Sequence, residues 1–142
     1  MTLVFRRVKP EDIWMLYAWR KEDQTAFWSL SQPPSIEDHR VWMEKAPFDE
    51  GLYIAERKGK PIAVLGVNTE NEVSITVNPY LRRQGIGHDC IKFLQRQYPK
   101  LKAIVVLGNP GSLKLFVGCG FEIKDAAYVK MRPCVILEWE AE

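Results

Sequence analysis

The sequence contains few cysteines, and their arrangement counts against two classes of small protein. Its 142 residues include Cys90, Cys119 and Cys134, an odd number of thiols with no Cys-x-x-Cys pair. This pattern argues against a disulfide framework and against a zinc site. We therefore expect free thiols in a reducing, cytoplasmic compartment, and no bound metal.

Long apolar runs and blocks of like charge are also missing. No apolar run approaches the ~20 residues that cross a membrane, and the first residues lack the apolar core of a signal peptide. Acidic and basic residues are interleaved, and the formal net charge is only +2. We expect neither a nucleic-acid partner nor a membrane-binding helix. The length fits one domain, residues 1–142, acting as a monomer or a homodimer.

Apolar periodicity and turn residues predict alternating strands and helices. The first third has the pattern of a strand at residues 3–8, a helix from Pro10 through Arg20, a break at "SQPPS", and a second helix at residues 35–43. In the middle of the chain the pattern predicts two strands around a turn at residues 58–60, a strand at 72–77, and a helix from Ile86 to Pro99. The last part has the pattern of a central strand at 101–107 covered on both faces, a helix closed by Gly118 or Gly120, and late strands around 127–131 and 134–140. This order indicates a mixed α and β fold.

A glycine-rich loop, "NPYLRRQGIG" at residues 78–87, lies between a predicted strand and a predicted helix. This arrangement leaves backbone N–H groups at the positive end of the helix dipole, where anions bind. Gly85 and Gly87 would let a phosphate approach the main chain, and Arg82 and Arg83 would add positive charge. A plain solvated turn is the alternative, because the spacing fits neither the dinucleotide-binding signature nor the P-loop signature.

Two segments together resemble the GCN5-related N-acetyltransferases, the GNAT family. "ITVNPYLRRQGIG" is similar to the family's acyl-CoA pyrophosphate loop, whose pattern is Gln or Arg, two residues, Gly, one residue, then Gly or Ala. Arg82, Gly85 and Gly87 fill that pattern. "GNPGSLKLFVGCGF" resembles a later helix of the family in its Asn109, Ser112, Phe116, Gly120 and Phe121. The order of the surrounding elements agrees with the family across nearly the whole chain.

The resemblance implies the GNAT fold, with a central, mostly antiparallel mixed sheet, splayed central strands and flanking helices. It also implies acetyl-CoA as co-substrate, with the pantetheine arm between the strands at 73–77 and 101–107 and the pyrophosphate on the loop. The residues expected to contact acetyl-CoA are Ile75, Val77, Arg82, Arg83, Gln84, Gly85, Ile86, Gly87, His88, Asn109, Ser112 and Phe116. Asn109 could also serve as the N-cap of its helix.

Acetyl transfer to an amine forms a CoA thiolate, and relatives often place a tyrosine where this chain has Phe116. Phenylalanine cannot donate a proton. Tyr128 is the substitute that we select as the acid, with Tyr80 and Cys119 as alternatives. The thiolate, whose ordinary pKa is about 8.5, could also leave without a dedicated acid.

The amine must be neutral to attack, so the reaction also needs a proton acceptor. Glu72, at the start of a predicted strand, is the carboxylate that we select as the base, with Glu70 and His39 as alternatives. A carboxylate beside a turn is more often a solvated surface group, and a histidine on a helix is more often packed or exposed than catalytic. A backbone N–H of the same strand is expected to polarise the thioester carbonyl.

The acceptor is indicated only by the first third of the chain. Between Trp14 and Trp42 the aromatic side chains are Trp14, Tyr17, Trp19, Phe27, Trp28 and Trp42, of which most would form core and an exposed few could stack on a sugar or a base. "WR" and "SIEDHRVWM" resemble the branch of the family that acetylates amino-sugar nucleotides or ribosomal-protein N-termini. A small primary amine, such as a nucleotide-linked amino sugar, is favoured. The alternatives are a protein N-terminal or lysine acetyltransferase, and a catalytically weak CoA-binding regulatory module.

Overall fold

The computed structural model describes residues 2–22, 35, 37, 41, 51–81 and 85–142. Its strands are β1 Val4–Arg7, β2 Leu52–Arg57, β3 Lys60–Val67, β4 Val73–Val77, β5 Lys100–Val106, β6 Glu122–Val129 and β7 Arg132–Glu140. Its helices are α1 Ile13–Glu22, α2 Ile86–Gln97 and α3 Pro110–Gly118, with short 3₁₀ turns at Pro10–Asp12 and Pro79–Leu81. The mixed α and β class is confirmed.

The strands form two antiparallel sheets that meet at β4 and β5. One sheet has the order β1-β2-β3-β4 and the other β5-β7-β6. Glu72 pairs with Lys102 in a parallel bridge, and the Lys102 N–H donates to the Asn71 carbonyl at 2.7 Å. Across the described ranges β4 and β5 pair nowhere else, so the strands diverge from this junction, as the resemblance implies.

Helices α2 and α1 pack on opposite faces of the four-stranded sheet. In α2 the buried residues are Ile86, Cys90, Ile91 and Leu94, spaced at about one helical turn. They pack with alternate residues of the strands, among them Leu65, Ala103 and Leu137. On the opposite face, Leu16 and Trp19 of α1 pack against Val8 and Ile54. The four-stranded sheet, whose last strand β4 reaches the junction, is therefore covered on both faces.

An ion-pair cluster fixes the start of α1. Arg6 donates two hydrogen bonds of 2.9 Å to the Asp12 carboxylate, and its Nε lies 3.2 Å from Glu56 Oε2. Asp12 Oδ2 also accepts the Lys9 N–H at 2.8 Å. Burial, the largest single influence, acts to raise the pKa of Asp12, but the bonds from Arg6 and Lys9 together lower it below the ordinary value. The cluster joins β1, the 3₁₀ turn and β2.

Two predicted strands need correction, and most of the predicted second helix lies outside the residues that the structure describes. The strand predicted around 127–131 ends at Val129, because Lys130 and Met131 form a tight turn with φ of 49° and 64°. The strand predicted as buried on both faces alternates between buried and half-buried residues only from Leu101 to Val105 of β5, with Lys100 exposed and Val106 buried. Of the predicted second helix, residues 35, 37 and 41 are described, with 37 and 41 helical, and the rest lies outside.

Neither a metal cluster nor a membrane span is present in the described part of the chain. No three or more His, Cys, Asp or Glu side chains in it group closely enough to hold a metal ion. None of its helices is both long and apolar enough to cross a membrane. Cys90, Cys119 and Cys134 are all buried free thiols.

Candidate active site

The register of β4 decides which of its backbone groups face β5. The Asn68 N–H donates to the Glu72 carbonyl at 3.1 Å, and the Asn78 N–H donates to the Ile62 carbonyl at 2.8 Å. Because hydrogen-bonded residues alternate along an antiparallel pair, the even-numbered residues of β4 bond to β3. The N–H and C=O groups of Ile75 and Val77 therefore point toward the gap between the diverging strands. An extended chain in that gap could pair with them.

The even-numbered side chains of β4 share a face with α1. Thr76 pairs with Val64, and Val64 pairs with Ile54, which packs against α1. Ser74 and Glu72 lie on the same face because side chains alternate along a strand. This face carries polar side chains beside the gap.

The loop after β4 ends at a helix start without a side-chain cap. Gly85 has a φ of 75°, and its carbonyl accepts the Asp89 N–H at 3.2 Å as the first bond of α2. The N–H groups of Ile86, Gly87 and His88 thus have no acceptor within the helix. Among the residues that the structure describes, none lies within 4 Å of a side chain built at Gly85, so they leave the surface there open. Open N–H groups at the positive end of a dipole form an anion site.

Gly87 also has a packing role that the sequence does not reveal. A Cβ at this position would lie 3.0 Å from Leu115 Cδ2, on the side of α2 that faces α3. The missing side chain therefore allows the two helices to approach closely. The expected approach of a phosphate to the main chain at Gly87 stays a prediction. Arg82, Arg83 and Gln84 lie outside the described residues, and their contact with acetyl-CoA remains a prediction.

The second segment forms a capped helix start. Asn109 Oδ1 accepts the Ser112 N–H at 3.3 Å, and Asn109 Nδ2 donates to Ser112 Oγ at 3.0 Å. Pro110 occupies the first turn of α3, where its missing N–H costs nothing. The N-cap interpretation of Asn109 is confirmed. A contact of Asn109 or Ser112 with acetyl-CoA stays a prediction.

Comparison with known proteins agrees with this geometry. The sequence profile of the acetyltransferase (GNAT) family matches residues 13–121, which is most of the chain. The chain belongs to the GNAT acetyltransferase family. Its relatives are N-acetyltransferases, and this is the enzyme class of the chain. No functionally curated protein matches it in sequence.

Solved structures of GNAT proteins share the fold at low sequence identity. The spermidine N-acetyltransferase from Vibrio cholerae, in complex with CoA and spermine, has a TM-score of 0.81 at 16% identity, covering 97% of this chain and 95% of that one. The aminoglycoside acetyltransferase AAC(6')-Ib, in complex with coenzyme A and kanamycin, has a TM-score of 0.75 at 18% identity, covering 98% and 95%. A GNAT acetyltransferase from Bacillus anthracis has a TM-score of 0.82 at 11% identity, covering 99% and 95%.

The position at which GNAT relatives often carry a tyrosine lies in the core. Phe116 is 9% exposed, and its ring meets Phe121 edge to face with centroids 5.1 Å apart. Cys119, one of the alternative acids, is also buried, and burial raises the pKa of its thiol while Lys92 acts in the opposite direction. Tyr80 is exposed on the 3₁₀ turn that follows β4.

Glu72 and Tyr128, the two residues selected as base and acid, lie far apart. Glu72 is at the junction, where Asn68 Nδ2 approaches its Oε2 at 3.5 Å. Tyr128 is 79% exposed on β6, which is the edge strand of the other sheet. Strands β5 and β7 lie between them, so the lateral separation is about three strand spacings, roughly 14 Å. The structure does not bring the two side chains to one reacting group.

The remaining candidates from the sequence are dispersed. Glu70 is exposed in the turn between β3 and β4, and His39 lies outside the described residues. Trp14 is exposed and Trp19 buried on α1, with Tyr17 half-buried. Phe27, Trp28 and Trp42 also lie outside the described residues.

Sequence analysis missed two asparagines that build the closed end of the cleft. Asn68 Oδ1 accepts the N–H groups of both Glu70 and Glu72 at 2.9 Å. Asn71 adopts a φ of 65° and offers its carbonyl to Lys102. The polar stretch "NTENE" was a signal for a turn, because asparagine often organises turns and tolerates this backbone region, but it could not reveal the contact with β5.

Proposed function

We propose that this protein transfers the acetyl group of acetyl-CoA to a primary amine of a small molecule. The observation that carries the proposal is the combination of two features along one strand. β4 has a free edge at Ile75 and Val77, and it leads through the loop to the open, uncapped start of α2. The first feature suits an extended amide-containing arm, and the second suits a pyrophosphate.

The residues of the chain fit acetyl-CoA in a defined order. The N–H groups of Ile86, Gly87 and His88 would hold the pyrophosphate, with Arg82 and Arg83 adding charge. The edge of β4 would hold the pantetheine arm, which then runs toward the junction. Acetyl-CoA supplies a thioester, whose thiolate is a far better leaving group than an alkoxide or an amide.

The chemistry requires direct attack of a neutral amine on the thioester carbonyl. The C–N bond forms, the C–S bond breaks, and the carbonyl oxygen gains charge that a β4 N–H would stabilise. We propose Glu72 as acceptor of the amine proton, directly or through water, because it lies where the cleft closes and on the polar face with Ser74. Holding both substrates side by side provides a further advantage that needs no covalent intermediate.

The structure offers no side-chain acid at the position of Phe116 to protonate the CoA thiolate. Its ring is part of the core, and Tyr128 lies on a distant edge strand. We propose that the thiolate, with an ordinary pKa near about 8.5, leaves without a dedicated side-chain acid. The role of Tyr128 as the acid stays a prediction. The variant Tyr128→Phe tests it, because a steep loss of turnover would place the acid at this residue.

A small amine is the acceptor that we favour. In support, two proteins of the same fold are named for spermidine and for aminoglycosides, which are small molecules with primary amines. A nucleotide-linked amino sugar remains our specific candidate, in a single domain of residues 1–142. A cytoplasmic location is supported by the three buried free thiols.

A catalytically weak CoA-binding module is the second candidate, and Phe116 favours it. Thiol release from acetyl-CoA separates the two functions when it is measured with spermidine, kanamycin, a nucleotide-linked amino sugar, and a peptide with a free N-terminus and a lysine. We expect CoA to bind in calorimetry and one small amine to release thiol well above background. Release only with the peptide would favour a protein acetyltransferase. Binding without release by any amine would favour the regulatory module, and absence of CoA binding would contradict both.

A further inference from the structure

Asn71 has an unusual backbone conformation for a residue other than glycine. Its φ is 65°, in the left-handed region that costs most side chains energy. The surrounding turn holds it there, because the Asn71 N–H donates to the Asn68 carbonyl at 3.0 Å and the Asn68 side chain binds the backbone of Glu70 and Glu72. The conformation is therefore imposed by the whole turn.

The carbonyl of Asn71 takes part in the bridge that joins the two sheets. It accepts the Lys102 N–H at 2.7 Å as one bond of the parallel bridge between Glu72 and Lys102. Within the ranges that the structure describes, this is the one level at which β4 and β5 pair.

The position of this bond determines the shape of the gap. Paired strands lie about 4.8 Å apart, whereas an extended chain between two strands requires about twice that separation. To admit such a chain, the distance between β4 and β5 has to grow from one inter-strand spacing at the junction to two inter-strand spacings at Ile75 and Val77. A displaced junction would move the level at which the gap becomes wide enough.

We propose that Asn71 is a positioning residue for acetyl-CoA. Its left-handed backbone directs its carbonyl at Lys102, and this bond sets the level from which β4 and β5 diverge to admit the pantetheine arm. The inference rests on the proposed function, since it assumes that the gap holds that arm. It assigns a role in binding to a residue outside both sequence segments that carry the family resemblance.

Calorimetry with two ligands tests the proposal. CoA reaches both the gap and the start of α2, whereas ADP carries the pyrophosphate without the pantetheine arm. In Asn71→Val, the branched side chain disfavours positive φ and the bond to Lys102 is displaced. We expect CoA to bind about tenfold more weakly and ADP to change by less than about twofold.

Three further variants separate positioning from general stability. Asn71→Gly keeps the left-handed backbone, so CoA should bind within about twofold of the wild type. Met131→Val places the same branched side chain at a φ of 64° in the β6–β7 turn, with no change of charge. It should lower the melting temperature in a similar way but leave CoA affinity within about twofold. If Asn71→Val fails to fold, Asn71→Ala should show a smaller loss in the same direction.

The outcomes are distinct. The proposal is overturned if Asn71→Val, or Asn71→Ala in its place, binds CoA as tightly as Met131→Val does. It is also overturned if the substitution lowers ADP affinity as much as CoA affinity, or if Asn71→Gly loses as much CoA affinity as Asn71→Val. Failure of the wild-type protein to bind CoA would instead overturn the proposed function, and the inference with it.

Discussion

Helices α2 and α3 each follow one of the two diverging strands, yet they begin in opposite ways. α2 begins at Gly85 with no side-chain cap, and the surface around that glycine is open. α3 begins at Asn109, whose side chain binds both the N–H and the hydroxyl of Ser112. The N–H groups of the first helix thus need an external partner, while those of the second are partly satisfied from within.

The difference teaches that a strand, a turn and a helix do not make an anion site by themselves. What matters is whether the sequence supplies an internal acceptor for the first N–H groups. An asparagine cap gives a stable start for α3 and uses the polar atoms that a ligand would need. A glycine in the left-handed region gives α2 a start that a pyrophosphate can complete. We therefore assign the pyrophosphate to α2.

Among the substitutions that test this comparison of helix starts, those at Gly85 should change CoA affinity most. Asn and Asp both tolerate a φ of 75° better than other side chains, so they form a matched pair that differs in charge. Asp would place a negative charge beside the pyrophosphate, and we expect Gly85→Asp to weaken CoA by at least about a hundredfold. Gly85→Asn should lose only about fivefold. Equal losses in calorimetry would show that the added side chain blocks the site by its bulk or by capping the helix start, and not by its charge.

Substitution of Gly87 should have an intermediate effect, because it acts through the packing of α2 on α3. A methyl group there would lie 3.0 Å from Leu115 Cδ2, so either this side chain or the start of α2 must shift by a few tenths of an ångström. We expect Gly87→Ala to weaken CoA by about fivefold, and Leu115→Ala in the same chain to restore most of the loss.

Gly118→Ala is the control for this pair of changes. It adds the same methyl group to α3 at a position with nothing within 4 Å, and it should leave CoA affinity unchanged. If the losses from Gly87→Ala and Leu115→Ala simply add, the two residues are not coupled and the packing argument fails.

Substitution of Asn109 should change stability more than binding. Asn109→Ala removes the cap of α3 and should lower the free energy of unfolding by about 1 kcal/mol in a denaturant titration. CoA affinity should change by less than about threefold, because both polar groups of the side chain already bind Ser112. Asn109→Ser can still cap the helix and should recover part of the stability. A loss of CoA affinity well beyond that limit would mean that Asn109 contacts CoA.

Local features of the fold were accessible from the sequence. The glycine-rich loop between β4 and α2 was predictable because glycine and proline mark turns and the apolar spacing of α2 is regular. The cap at Asn109 was predictable because asparagine, proline and serine occur at the expected offsets. Both features depend on residues within one or two helical turns of each other.

Features that depend on contacts between residues far apart in the sequence could not be predicted from the sequence. Leu115 lies beside the position of Gly87, and Lys102 binds the carbonyl of Asn71, but each pair is joined only by the tertiary fold. The order of strands in the second sheet, which separates Tyr128 from Glu72, could not be read from local pattern either. The turn at Lys130 and Met131 was missed because neither residue is one that favours a positive φ.

Backbone amide shifts during a titration with ADP test the central claim most directly. The experiment compares the two helix starts in one sample of the wild-type protein. We predict that the amide resonances of Ile86, Gly87 and His88 shift in proportion to ADP binding, because these N–H groups contact the pyrophosphate. The resonances of Ser112 and Leu113 should remain in place, since their N–H groups already bind Asn109. Larger shifts at Ser112 and Leu113 than at the start of α2 would contradict the assignment of the pyrophosphate to α2.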